Sequence, residues 1–450
     1  MMKMRQIFAV LLCLLCVLTA CQSGTGADSD VERFGATDVK DPLRVCIDVA
    51  YNFSEMSDEF HHTAVEELLF SLQESGGLDD VVIEFLPVSG ADRENALNRM
   101  RTEIMAGGGP DVFIIRCTTP YSTKEENDAI FGHPVKSMEN GLFLPLDEYI
   151  ENNTRFAQWD KFTKVVMDAG RNEEGQQIIP LTYTIPVLCC PQEEFTYTGS
   201  TELTFDDMLN KPGFSEAAAY LADCCTMQES VFDGIETTGL SLMPYLSNIL
   251  GDLADYENEE LLFTEEELTE LIKEVLSRAN EESAALPEGY FESEIGLEIT
   301  HSYHTQPMTM IPLYSKSGGV TATINSFAAV NRNTKRAEDA FTVIDLLLRD
   351  NVQQRYHLYY EFLYGDSGIP MNETLMTQQT PLIDTEHYLS DTNYQELCKI
   401  RSQITKVNFS TEISQILHKT MLLSQLPSEG ETVESIVAEK YADMQRRIRE

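Results

Sequence analysis

The sequence predicts an α/β protein organised around a parallel sheet, and three observations point there. Between Leu43 and Ile115, short β-rich apolar runs alternate with longer stretches whose apolar residues recur at helical spacing. Glycines and turn residues separate the runs. The chain has 450 residues, 42% of them hydrophobic, enough for a sizeable core and for more than one domain. Strand, helix, strand, helix, strand in this order means parallel pairing, because parallel neighbours need a crossover of helical length between them.

Leu43 to Ala50 is the first strand. In Ser54 to Ser75, Phe60, Ala64, Leu68 and Leu72, joined by Val65 and Leu69, share one helical face, with Gly76 and Gly77 as the stop. Val81 to Val88 is a second strand, Asp92 to Met105 a second helix and Asp111 to Ile115 a third strand. The glycines between Met105 and Asp111 match neither GxxxxGK[ST] nor a helix-opening GxGxxG, so they read as a helix C-cap and a tight entry to the strand. Ligands of such sheets settle beyond the carboxyl ends of the strands, which here are the loops Tyr51 to Phe53 and Arg116 to Tyr121. Further on, Leu203 to Leu286 reads as helix-rich: Thr264 and Glu267 form a capping box ahead of Leu268, Leu271, Ile272 and Val275. Val433, Ile436, Val437, Tyr441, Met444 and Ile448 make a last helical stripe, whose final-turn arginines suit the helix dipole.

The N-terminus reads as an export leader. Lys3 and Arg5 precede the apolar run Ile7 to Leu18, which is shorter than the ~20 residues a bilayer span requires. Leu18, Thr19, Ala20 and Cys21 resemble the lipobox of bacterial lipoproteins. That resemblance implies cleavage before Cys21, a lipid on its sulfur, and a location on the outer face of the bacterial cytoplasmic membrane. Residues 21–42, rich in Ser, Gly, Thr, Ala and Asp, read as a flexible lipid-anchored tether.

A formal charge of −42 excludes nucleic acid and anionic lipid surfaces as partners, because both demand a basic face. Outside the leader and Cys21 stand Cys46, Cys117, Cys189, Cys190, Cys224, Cys225 and Cys398, an odd set in largely apolar surroundings that reads as reduced core thiols.

Several motifs recur in the order found in one protein family. "AGGGPDVFII" resembles the "AaGxxPDvv" signature of the extracellular solute-binding proteins of sugar-type ABC importers. Gly141, Leu142, Pro145, Leu146, Asp147 and Tyr149 resemble "GxLxPLDxY", and Gly175 with "IIPLTYTIP" resembles the next landmark, although Cys189, Cys190 and Pro191 stand near the usual Tyr and Asn. Phe327 to Tyr356, Gly368 to Met371 and Val433 to Glu450 follow in register. The resemblance covers Leu43 to the end. It implies a two-lobed, periplasmic-binding-protein-like fold of type II with crossing hinge strands. Residues 43–184 plus 314–340 then form one lobe, and 185–313 plus 341–450 a second, helix-rich one. It also implies the function: a monomer that captures a small solute, a sugar or oligosaccharide, between its lobes and presents it to an ABC permease, without catalysis or a cofactor. The competing class is a lipoprotein enzyme or a diverged scaffold on the same fold.

Enzyme signatures are absent: no GxSxG, HExxH or SxxK occurs. His301 with His304, and His61 with His62, lack a third ligand at a recognisable spacing, so no metal site is expected. Capture instead wants aromatic faces and a few fixed polar groups. Strand ends and crossings supply Tyr51, Asn52, Arg116, Thr118, Tyr121, Tyr183, Thr184, Tyr303 and Tyr314. Trp159, the one tryptophan, reads as a core residue, and the family's "GxaaMxxxGxW" segment is not visible at Gly296 to Met310. Both departures leave room for a smaller, more polar solute.

Overall fold

The computed structural model describes residues 31–48, 58–87, 90–117, 129–191, 198–210, 227–232, 235–240, 246–279, 291–294, 307–353, 368–372, 389–425, 427–428 and 430–449. Its strands are β1 (Glu32–Gly35), β2 (Leu43–Asp48), β3 (Val81–Phe85), β4 (Val112–Arg116), β5 (Ile178–Thr184), β6 (Pro186–Pro191), β7 (Phe291–Glu294), β8 (Met308–Pro312), β9 (Val320–Val330), β10 (Ile369–Pro370) and β11 (Ile404–Phe409), apart from three two-stranded hairpins among the described residues. The helices used below are α1 (Asp58–Ser71), α2 (Gly90–Met105), α3 (Glu265–Ala279), α4 (Ala337–Leu347), α5 (Asp391–Arg401), α6 (Glu412–Gln425) and α7 (Val433–Arg447).

An eight-stranded sheet runs β1-β3-β2-β4-β9-β5-β10, with β11 on the free half of β9. The three strands read from the sequence pair in parallel, with β2 between β3 and β4. The sheet as a whole is mixed, because β1 joins β3, and β9 joins both β4 and β5, in antiparallel fashion. Buried on both faces, β2, β3 and β4 are near-continuous apolar runs, as parallel strands must be. Strand β9 is shared: Val320 to Ile324 pairs with β11, and Ser326 to Val330 pairs with β4 and β5. A second, three-stranded sheet, β7-β6-β8, continues from β5 through Ile185 alone. Helix α5 covers it, with Met308 N donating to Asn393 Oδ1 over 3.0 Å.

The glycine-rich stretch closes α2 as expected. Gly107 N donates to Ile104 O and Gly108 N to Glu103 O, each over 2.9 Å, with Gly107 at φ +80° and Gly109 at φ +95°. A Cβ on Gly109 would lie 2.9 Å from Ile104 Cγ1. The aspartate that follows is a structural tie. Asp111 accepts Arg44 N over 2.9 Å and Thr334 Oγ1 over 2.5 Å. The second landmark closes on itself in the same way: Asp147 accepts Gln176 N over 2.7 Å and Arg171 Nη2 over 2.6 Å, while a Cβ on Gly175, at φ +123°, would collide with its carboxylate. The motif spacing therefore records packing.

One expectation needs correction. Residues 32–35, read as part of the tether, are an edge strand. Phe34 meets Phe85 edge-on at 5.8 Å, Arg33 Nε lies 3.1 Å from Glu84 Oε1, and Val31 is buried. Composition sees few apolar residues there, but an antiparallel partner supplies the missing contacts. A truncated body should therefore begin before Val31.

In the helix-rich half, Thr264 and Glu267 form the capping box, with Thr264 N to Glu267 Oε2 at 2.7 Å and Glu267 N to Thr264 Oγ1 at 3.2 Å. Leu268, Leu271, Ile272 and Val275 are buried, and Tyr441 of α7 donates its hydroxyl to Phe263 O over 2.9 Å. Trp159 is a packing residue. It stacks on Phe341 at 6.0 Å and donates Nε1 to Asp345 Oδ1 over 3.3 Å. Cys46, Cys117 and Cys189 are buried, and Cys398 is half-buried. Among the described residues, no helix is long and apolar enough to cross a membrane.

Candidate functional site

From β2 the chain moves to β3 on one side, and the next strand, β4, lands on the other. That reversal makes the carboxyl ends of β2 and β4 the topological switch point, where adjacent connections leave in opposite directions and open a crevice. Asp48 ends β2 and Arg116 ends β4. Asp48 is committed to the fold. Arg93 of α2 grips it with Nη1 to Oδ1 at 2.8 Å and Nη2 to Oδ2 at 3.0 Å, both residues being buried.

Arg116 opens a polar row across three strands. It is the register partner of Ser326 on β9, which in turn faces Thr182 on β5. Ser326 Oγ and Thr182 Oγ1 are 2.7 Å apart, so their side chains share a face. One step further along, Cys117 N donates to Asn325 O over 2.6 Å, and Asn325 Nδ2 donates to Thr184 Oγ1 over 3.3 Å. The sheet thus ends in hydroxyls, an amide and a guanidinium, set on strands that are otherwise largely apolar. The Nε of Arg116 is buried with no hydrogen-bond acceptor among the described residues.

The sequence candidates divide three ways. Arg116 and Thr184 come together at this edge. Tyr183 does not join them: alternation turns it to the opposite face, where it is fully buried, its hydroxyl 3.4 Å from Thr163 Oγ1, and burial pushes its phenol up to about 12. Tyr314 is also fully buried and donates its hydroxyl to Gln403 Oε1 over 2.5 Å. It bridges to Val320, six residues before Ser326 on β9, which sets it roughly 20 Å from the row at ~3.3 Å per residue. Tyr51, Asn52, Thr118, Tyr121, Tyr303 and Cys21 lie outside the described residues, as do His301 and His304, while His61 and His62 fall in α1. Among the described residues, no group of three His, Cys, Asp or Glu could hold a metal ion.

Sequence reasoning missed Thr182, Asn325 and Ser326, whose signal was a polar residue inside an otherwise apolar run. It also missed a polar stripe on α6. Thr411, Gln415 and His418 recur at spacings of four and three and are all buried. Ser410 N donates to Ile324 O over 3.1 Å, so this helix starts beside β9, next to Asn325.

Burial, with Lys419 adjacent, holds the His418 imidazole down to about 4, against an ordinary 6.5. The folded chain keeps it neutral while the unfolded chain protonates it first. Its contribution is therefore complete above pH 6.5 and is lost as pH falls toward 4. We expect the Tm of the native chain to fall more steeply over that window than that of His418→Gln, measured by scanning fluorimetry in matched buffers. Superimposable Tm profiles would rule the shift out.

No protein-family model matches the sequence, and no curated protein is similar to it in sequence. Solved structures are similar in fold. A periplasmic solute-binding protein from Pectobacterium atrosepticum matches at a TM-score of 0.51 and 14% identity, over 90% of this chain and 98% of its own. A periplasmic oligogalacturonide-binding protein from Yersinia enterocolitica matches at 0.51 and 14%, over the same shares. A de novo designed cysteine esterase also matches, at 0.53 and 14%, again over 90% of this chain and 98% of its own. The chain has the mixed α/β fold of the two-lobed periplasmic binding proteins.

Proposed function

We propose that this chain captures a small solute of the carbohydrate class between two lobes and hands it to an ABC importer without transforming it. The observation that carries the reading is the polar row Arg116, Ser326 and Thr182 at the switch point of a fold that solute-binding proteins share. In this reading the lobes are residues 43–184 with 314–340, and 185–313 with 341–450. Gln415 on α6 and Thr411 just ahead of it supply the second side of the site. Ligand binding favours closure only as far as the solute touches both sides. The lipid on Cys21 keeps the chain at the outer face of the membrane, raising its concentration near the permease without any new contact. The oligogalacturonide specificity of the Yersinia protein supports a sugar-type solute here.

The test is thermal-shift screening of the detergent-solubilised full chain against neutral sugars, sugar acids and polyamines. A solute at a hundred times its Kd stabilises by ~2.7 kcal/mol, a clear rise in Tm. We expect at least one saccharide to do this and to be recovered chemically unchanged. Turnover would instead favour an enzyme, and silence from every saccharide would sink the carbohydrate class. Cys21→Ala should move the protein from the membrane to the soluble fraction.

A further inference from the structure

In a chain with 74 acidic and 32 basic residues, an arginine is rarely short of a carboxylate. Arg44 is answered by Glu84 and Glu103, Arg93 by Asp48, Arg171 by Asp147, and Arg336 by Asp80 and Asp339. Some arginines depart from this pairing, Arg101 donating to Ala129 O and Arg155 to Gly76 O, but Arg116 is the one that ends a strand at the switch point. Its Nε is buried without an acceptor, and no carboxylate among the described residues pairs with it. Along the row it meets neutral groups, Ser326 opposite, Thr182 beyond, and Asn325 and Thr184 one step along, while Asp48 on the neighbouring strand is taken by Arg93. A charged N–H removed from water and given no acceptor is a net cost to the fold. That cost falls on the residue which ends β4 at the switch point, where a ligand would sit.

The geometry points to an anion receptor: the solute carries a carboxylate that pairs with the Arg116 guanidinium, and its neutral hydroxyls meet the polar edge beside it. This deepens the capture reading and rests on it. A single planar guanidinium matches the two oxygens of one carboxylate. A phosphate dianion would call for a second cation, and the row holds none. The −42 charge of the chain also weighs against highly charged anions, while a monoanion is attracted by Arg116 at short range. Carboxylate and hydroxyls together describe a sugar acid of the uronate type.

The experiment is isothermal titration of the detergent-solubilised full chain with galacturonate, glucuronate and trigalacturonate, beside galactose and glucose, and beside succinate and glutamate. One of the uronates should bind, and its neutral parent should bind ~100-fold or more weakly, the loss expected for a charge-assisted pair. R116M should abolish that preference, and R116K should keep part of it. The unliganded Tm of R116M should equal or exceed that of the native chain, because a buried charge without a partner is removed. Unchanged uronate affinity in R116M, or a Tm well below the native one, would overturn the inference. Neutral sugars bound as tightly as their uronates would leave capture standing and remove the anion receptor. Succinate or glutamate bound through Arg116, with every sugar silent, would keep the receptor and remove the carbohydrate class. No carboxylate bound at millimolar concentration would end the inference.

Discussion

Replacing Asp345 with alanine is expected to remove about 4 kcal/mol of stability, the largest single loss we anticipate outside the hydrophobic core. Asp345 lies on the inner face of α4 with no exposed surface. Its Oδ2 accepts the backbone N–H of Arg155 at 2.7 Å and of Phe156 at 2.9 Å, and its Oδ1 accepts that of Ala157 at 3.0 Å and Trp159 Nε1 at 3.3 Å. The carboxylate therefore fastens a whole turn of chain to the helix, and alanine would strand these donors together. Asparagine, which keeps one carbonyl acceptor, should lose about half as much. Urea denaturation followed by intrinsic fluorescence reports on the adjacent Trp159, and a shift in midpoint at constant slope gives the loss. A D345A midpoint within error of the native one would show that the loop holds without this anchor.

The second large effect concerns Arg93 and Asp48. Their bidentate pair is buried, and Arg93 Nη1 also donates to Pro87 O at 2.8 Å. Removing either partner leaves a charge in a low-dielectric site, and R93M or D48A should each cost 3–5 kcal/mol, the range of about that size seen when a buried pair is broken on one side. Removing both together leaves no uncompensated charge. D48A/R93M should accordingly lose clearly less than the two single losses combined, by roughly 2 kcal/mol in a double-mutant cycle. Strict additivity would mean that the two side chains act independently. Asp48 ends β2 at the switch point, so both single variants should also weaken solute capture, whereas D345A, whose carboxylate bonds only residues 155–159, should leave the affinity of surviving folded protein unchanged.

Local periodicity made the first half of the sheet legible. Val45, Ile83 and Ile114 lie in short apolar runs that are buried on both faces, and α1 and α2 between them show the spacing of helices that cover such a sheet. What failed was non-local. Nothing in Val320 to Val330 announces that its first half will run parallel to β11 and its second half antiparallel to β4 and β5, because strand direction is set by partners far away in sequence. The site was legible in the same uneven way. The strand-end rule named Arg116 and Thr184, which the fold brings to one edge of the sheet. It also took Tyr183, yet consecutive strand residues point to opposite faces, so Tyr183 and Thr184 could not both serve one site. Thr182, Ser326 and the buried polar stripe of α6 escaped because a hydroxyl or amide in an apolar segment carries no marker of its own until the facing element is known.

The edge strand β1 has a mechanical consequence. Any pull on the first thirty residues, such as drag on a surface-held chain, enters the folded body at Val31 and loads a strand of only four residues, Glu32–Gly35. Its four register pairs with β3, one phenylalanine contact and the Arg33–Glu84 pair resist that load before any central strand feels it. β1 can therefore serve as a sacrificial strip: under such a load it peels first and spares the central strands that end at the switch point.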